Sequence, residues 1–220
     1  GASPIDRPFA GVGHTCCLAW NGTVSRATRH SFYRLKLVAG HPTAYWFDGQ
    51  IRSMVPQRVS IEVPGPDGKG LVESHVFWHT HLGPVVASEA LGMRWTDEFA
   101  WALRHVDSGW RSTNEIFELA RARSVREAKQ ILDRNQGWPV NIVLADHLGE
   151  VLFADPGAAA YLEDEQLDAC AVAGPARALD GSRSECEWRS APDAAAPGTF
   201  PPQRLPFLFK TRHQSFTVAA

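Results

Sequence analysis

Residues 43–54 read TAYWFDGQIRSM, with Asp48-Gly49 set between two apolar runs. A two-residue Asp-Gly loop favours left-handed backbone at both positions, and the resulting turn carries the twist of an antiparallel hairpin. This part of the chain is therefore committed to paired strands, and its neighbours extend the pattern. CCLAWNGTVS (16–25) and SFYRLKLVAG (31–40) are rich in aromatic and β-branched residues and end at turn formers. QRVSIEV (57–63) alternates, after which PGPDGKG (64–70) turns the chain into LVESHVFWHTH (71–81). Long strands joined by short turns make a meander.

Helical periodicity follows. Ser112-Thr113-Asn114-Glu115 and Ser124-Val125-Arg126-Glu127 both fit the capping box, in which a hydroxyl and a glutamate satisfy orphan backbone donors. Ile116, Leu119 and Ala120 share a face of the first helix, and Val125, Ala128, Ile131 and Leu132 share one of the second. Asn135 and Gly137 supply the stop. VNIVLAD (140–146) and GEVLFAD (149–155) then form a second hairpin around His147-Leu148-Gly149. Strands, helices and strands in this order predict an α+β fold, an antiparallel sheet with packed helices. Residues 1–10 read as an N-terminal extension, 11–156 as the α+β core, and 157–220 as an irregular segment rich in Ala and Pro.

Hydrophobic residues make up 44% of the 220, enough for a core, and the formal net charge of -2 comes without a basic run. A phosphate-tracking surface needs clustered Lys and Arg, so nucleic acid is not expected as a partner. No stretch approaches the roughly 20 apolar residues of a membrane span. The opening GASPIDRPFAG lacks a charged-then-apolar leader, which places any export signal outside this chain. The eight tryptophans suit apolar pockets and a bulky sheet core alike.

Cys16 and Cys17, adjacent on an expected strand, would point to opposite faces and read as packing residues. Cys170 and Cys186 flank a polar segment with little core of its own. A bridge between them would contribute roughly 3 kcal/mol by restricting the unfolded chain and would fit an oxidising compartment; two unrelated thiols are the alternative. His79 and His81, at i and i+2, share a strand face with His75, which is compatible with zinc. No cysteine accompanies them and no zinc spacing matches, so separate hydrogen-bonding duties are the stronger reading. No G-x-S-x-G elbow or phosphate loop is present.

The ordered series LAWNGTVS, FYRLKLVAG, AYWFDGQIRSM, HTHLGPVVAS, FAWALRHVD, the helix pair and NIVLADHLGEVLFAD resembles the β-subunit of the penicillin acylase family. It is most similar to the acyl-homoserine-lactone and aculeacin-type acylases, over roughly residues 11–210. The segment DACAVAG…SECEW is also similar to a cysteine-bearing stretch of those acylases, which supports the Cys170–Cys186 bridge. The resemblance implies part of an N-terminal-nucleophile hydrolase αββα sandwich and hydrolysis of N-acyl amides, without a cofactor or metal. In such enzymes a terminal serine attacks the amide carbonyl while its own α-amine takes the proton.

Carried over by position, Val24 is implied as the backbone oxyanion donor. By the same resemblance Thr23 would border the acyl pocket, and Phe117 and Val140 match positions of its wall. For Phe117, beside the apolar Ile116, plain helix–sheet packing fits as well. HTHLGPVV resembles a framework element of the family, which makes His79 and His81 scaffold residues.

The pattern also departs from the family. GASPIDRPF does not resemble the start of a β-subunit, Ser3 is not terminal, and TRHQSFTVAA follows LPFLFK where an asparagine-bearing run is expected. Gly22 replaces a larger residue, and PVNIV is one residue shorter than the usual run. The nucleophile is thus expected from outside this chain, from complementary β-subunit segments or with an α-subunit, in a periplasmic or secreted enzyme. An unpaired sheet edge is expected where the N-terminal strands belong. A catalytically inactive fragment that binds apolar ligands or serves as a structural module is the alternative.

Overall fold

The computed structural model describes residues 10–65, 70–107, 109–175 and 177–210. Its strands in the first half are β1 (Gly13–His14), β2 (Leu18–Val24), β3 (His30–Val38), β4 (His41–Phe47), β5 (Gln50–Ser53), β6 (Val55–Pro64), β7 (Gly70–Thr80), β8 (Gly83–Val86) and β9 (Phe99–His105). Helices α1 (Arg111–Leu119) and α2 (Val125–Asn135) come next, then β10 (Val140–Asp146), β11 (Val151–Ala154), α3 (Asp164–Cys170), β12 (Leu179–Asp180) and β13 (Phe207–Lys210). The fold is α+β, as expected. It divides into two compact units: the chain up to Arg29, Val106–Tyr161 and the chain from Trp188 on form one, and His30–His105 with Leu162–Glu187 the other.

The first unit is an antiparallel sheet, ordered β1-β2-β10-β11-β13, with helices on one face. Strand alternation sends Leu18, Trp20, Ile142, Leu144, Leu152 and Ala154 to one side. There they meet Ile116 and Leu119 of α1 and Val125, Ala128, Ile131 and Leu132 of α2. Burying an aliphatic side chain of this kind is worth about 1.5–3 kcal/mol, so this layer holds the helices on the sheet. Asp146, at the end of β10, joins strand and helix: its carboxylate accepts from Val125 N at 3.0 Å and from Leu148 N at 2.9 Å. Burial alone would raise this carboxyl, but the backbone donors of Val125, Glu150 and Leu148 outweigh it and hold its pKa below the ordinary value. Beyond Trp20, β2 has no strand partner on its outer side among the described residues, since β1 pairs only Gly13 with Trp20 and His14 with Ala19.

Several local expectations are corrected. Helix α1 starts at Arg111, with Trp110 before it, so Ser112 lies inside the helix and caps nothing. Glu115 is fully buried, and its two oxygens accept from Gly137 N and Trp138 N at 2.8 and 3.1 Å. It is therefore unavailable to a capping box. Ala120 is exposed and Ala122 takes the buried place. On α2 the box is half present: Ser124 accepts from Glu127 N at 3.2 Å, but Glu127 reaches Arg123 N at 2.9 Å. The left-handed residue that ends α2 is Gln136, at φ 45°, and not Gly137. Gly137 is small for another reason, because its Cα lies against the Arg111–Ser112 backbone where a Cβ would collide.

The second unit holds an eight-stranded sheet whose main path is β5-β4-β3-β9-β8-β7-β6, with β12 parallel to β3. Asp48 and Gly49 take φ 48° and 73°, the left-handed pair expected for the hairpin. The turn is anchored: Asp48 N donates to Ser182 O at 2.8 Å and Ser184 N donates to the Asp48 carboxylate at 2.9 Å. Cys170 and Cys186 form the disulfide, and the carbonyl of Cys186 accepts from the buried Tyr33 hydroxyl at 3.2 Å. Strands β6 and β7 pair from Val55↔His79 to Pro64↔Gly70 as a long two-stranded ribbon. β6 is exposed along nearly its whole length, and Val55, Val59, Ile61, Leu71 and Phe77 all stand in solvent. The turn expected between these strands falls on residues 66–69, outside the described residues.

His75 and His79 belong to β7, whereas His81 lies past its end. His81 Nδ1 shares a 2.8 Å hydrogen bond with the Tyr45 hydroxyl, and Nε2 faces the Glu187 carboxylate at 3.5 Å. Burial lowers its pKa against the opposing pull of Glu187. Cys16 and Cys17 are not on a strand. They form the turn ahead of β2, Cys16 exposed and Cys17 half-buried, so they are not packing residues.

Candidate functional site

β2 and β10 run antiparallel with Val24 opposite Val140 and Thr23 opposite Asn141. Three of the four residues implied by the resemblance are therefore neighbours at one end of one ladder. Alternation puts Val24 and Val140 on the face that carries the helices, with Gly22 and Ile142, and Thr23 and Asn141 on the other. Val24 is 85% exposed, so little among the described residues covers that strand end. Phe117 is half-exposed on α1, off the buried stripe of Glu115, Ile116 and Leu119.

The strand end is held by polar contacts that sequence reading did not single out. The Asn141 side-chain amide donates to Val24 O at 2.8 Å. Immediately after Val24, the Ser25 hydroxyl donates to Asp155 Oδ2 at 2.5 Å and accepts from Arg29 at 2.7 Å. Arg29 also pairs with Asp155 at 2.9 Å, and the two side chains are only 13% and 10% exposed. Ion pairs this buried hold their geometry tightly, because breaking one leaves an uncompensated charge. The only signal in sequence was Asp155 at the end of GEVLFAD, which reads equally well as a turn residue.

The facing strand is positioned from α1. Glu115 holds Gly137 N and Trp138 N, and Trp138 lies over Gly22: a Cβ at Gly22 would come 3.1 Å from the indole and 3.3 Å from Val140. The indole fills the volume that a larger side chain at position 22 would occupy. Burial pushes the Glu115 carboxyl up to about 8, against the two backbone donors that favour its charged form. Held in this way, the two strand ends keep Val24 paired with Val140 beside apolar side chains. Among the described residues no group of three or more His, Cys, Asp or Glu side chains gathers as a metal site.

The model of the penicillin amidase family matches residues 1–220. The chain belongs to the penicillin amidase family. It is 36% identical to the aculeacin-A acylase of Actinoplanes utahensis over 224 residues, covering 96% of this chain and 27% of that protein. It is 32% identical to the acyl-homoserine lactone acylase PvdQ of Pseudomonas putida over 214 residues, covering 94% of this chain and 28% of PvdQ. Among solved structures it is similar to the thermostable penicillin G acylase of Alcaligenes faecalis, with a TM-score of 0.69 at 18% identity. That match covers 96% of this chain and 34% of the acylase chain, and it shows the shared fold. This penicillin amidase family chain thus spans about a quarter of the length of the curated relatives it matches.

Proposed function

We propose that this chain is scaffold of an N-terminal-nucleophile amidohydrolase that cleaves N-acyl amides, with acyl-homoserine lactones or related N-acyl and β-lactam amides as the substrate class. The likeness to aculeacin-A acylase and PvdQ over 94% or more of the chain carries this reading. The reacting serine comes from acylase polypeptide outside this sequence. Its hydroxyl attacks the amide carbonyl while its α-amine takes the proton, the amine leaves, and water releases the acid from the acyl-enzyme.

In that reaction Val24 lends its backbone N–H to the tetrahedral oxyanion, a donor worth about 3 kcal/mol of transition-state stabilisation. By the family resemblance Val140 and Phe117 wall the acyl group and Thr23 borders it, with Thr23 turned to the face opposite Val140. The ladder pairing of Val24 with Val140 and the Ser25–Arg29–Asp155 contacts support the roles given to Val24 and Val140. Complementary acylase segments, from an α-subunit or the rest of a β-subunit, cover the exposed β6–β7 ribbon. The Cys170–Cys186 disulfide favours a periplasmic or secreted location.

The test is hydrolysis of a chromogenic fatty-acyl anilide by the purified chain, alone and mixed with a separately made serine-bearing remainder of the acylase. Turnover in the mixture supports the proposal. No turnover in either case overturns it, and calorimetric binding of a fatty acid without turnover would leave an apolar-ligand module.

A further inference from the structure

Cys16 and Cys17 are tied down by their surroundings. Thr15 N donates to Leu18 O at 2.8 Å, and the Thr15 hydroxyl accepts from Cys17 N and Leu18 N at 3.3 and 3.2 Å. From the β10–β11 turn, His147 donates to Cys17 O through its backbone N at 3.1 Å and through Nδ1 at 3.3 Å. On a strand, neighbouring side chains diverge. In this turn they converge, and the two Sγ atoms stand 2.6 Å apart, with Cys16 exposed to solvent.

We propose that Cys16 and Cys17 are a redox-active dithiol that closes reversibly to a disulfide between adjacent residues. The co-reactant is a small-molecule disulfide. One thiolate attacks it and forms a mixed disulfide, releasing one small thiol. The neighbouring sulfur then displaces the second small thiol and closes the ring. Two cysteine thiols lose two electrons and two protons, and the small disulfide becomes two thiols. The site differs in kind from Cys170–Cys186, whose Cα atoms are 5.5 Å apart, within the usual range for a disulfide. Adjacent Cα atoms sit only about 3.8 Å apart, so a ring at Cys16–Cys17 is strained and exposed. Such bonds are reduced readily and serve as labile rather than structural links. The Cys170–Cys186 bond fits an environment in which oxidation is available to both pairs.

The test is mass spectrometry of the whole chain after equilibration with excess oxidised glutathione, with free thiols then alkylated and peptides mapped without reduction. The expected peptide carries Cys16 and Cys17 unalkylated, without glutathione, and lighter by two hydrogens. Mild reductant should return both thiols together while Cys170–Cys186 stays closed. Cys17→Ser should instead retain one glutathione on Cys16, because the resolving sulfur is gone. Alkylatable Cys16 or Cys17 after oxidation, a stable glutathione adduct on the unsubstituted chain, a cross-link to a second molecule, or no adduct in Cys17→Ser would each overturn the proposal.

Discussion

Replacing Glu115 by glutamine isolates the cost of a carboxylate held inside the helix–sheet core. Glu115 is fully buried, and its pKa is raised from the ordinary 4.5 to about 8, first by burial and then against the donors at Gly137 and Trp138. Between those values the folded chain holds a proton that the unfolded chain has released. Stability therefore falls as pH rises through this window. Each pH unit costs about 1.4 kcal/mol, so the whole span comes to roughly 5 kcal/mol. Glutamine keeps the shape and one acceptor but never ionises. Its amide group leaves one of the two backbone N–H groups without an acceptor, at a cost of about 1–3 kcal/mol.

Near pH 5 Glu115→Gln should therefore be the less stable protein. As pH rises the difference should close, shifting by about 2.7 kcal/mol in its favour over two pH units. Urea unfolding followed by tryptophan fluorescence, on both proteins at several pH values, reads this directly. Other titrating groups cancel in the difference. If the two stability curves run parallel from pH 5 to pH 8, Glu115 is charged in the folded chain across that range and the reasoning fails.

Asp155→Asn, which leaves Arg29 buried without a counter-charge, should cost about 3–5 kcal/mol in chemical denaturation. Arg29→Met in the same background should recover part of it, as removal of both charges relieves the isolated one. Gly22→Val should lose about 1–3 kcal/mol by overpacking against Trp138 and Val140, seen as a lower melting temperature. Asp146 has a lowered folded pKa, so its contribution is present above the unfolded value and lost as pH falls through the folded one. Asp146→Asn should accordingly weaken the chain near neutrality and leave its stability in strong acid unchanged, as acid titration of the fold would record.

What the sequence made legible was local and periodic. Asp48-Gly49 fixed its hairpin because few residues tolerate that backbone, and the apolar stripe of α2 appeared position for position. The capping box at Ser112–Glu115 misled because a glutamate three residues after a serine carries the same letters whether it turns back on the helix or inward to Gly137 and Trp138. Cys16 and Cys17 were misplaced by extending a strand two residues too far. For the site, Val24 and Val140 came only through resemblance, and their pairing is a matter of register between strands more than a hundred residues apart in the chain. Ser25 and Arg29 left no pattern, and Asp155 only that of a turn residue, since their partnership exists only after β2 and β11 enter one sheet.

The bare ribbon of β6 and β7 also bears on how this polypeptide behaves in isolation. β8 pairs with β7 only at His79 and Thr80, and among the described residues no strand pairs with the outer edge of β6. Most of this hairpin is therefore held by its own ladder alone, its row of Val59, Ile61 and Leu71 exposed beside an edge that can template pairing with another chain. Dilution and crowding should therefore change the molecule's company before they change its fold, with charged neighbours such as Arg58, Glu62 and Glu73 setting the salt at which copies begin to stick.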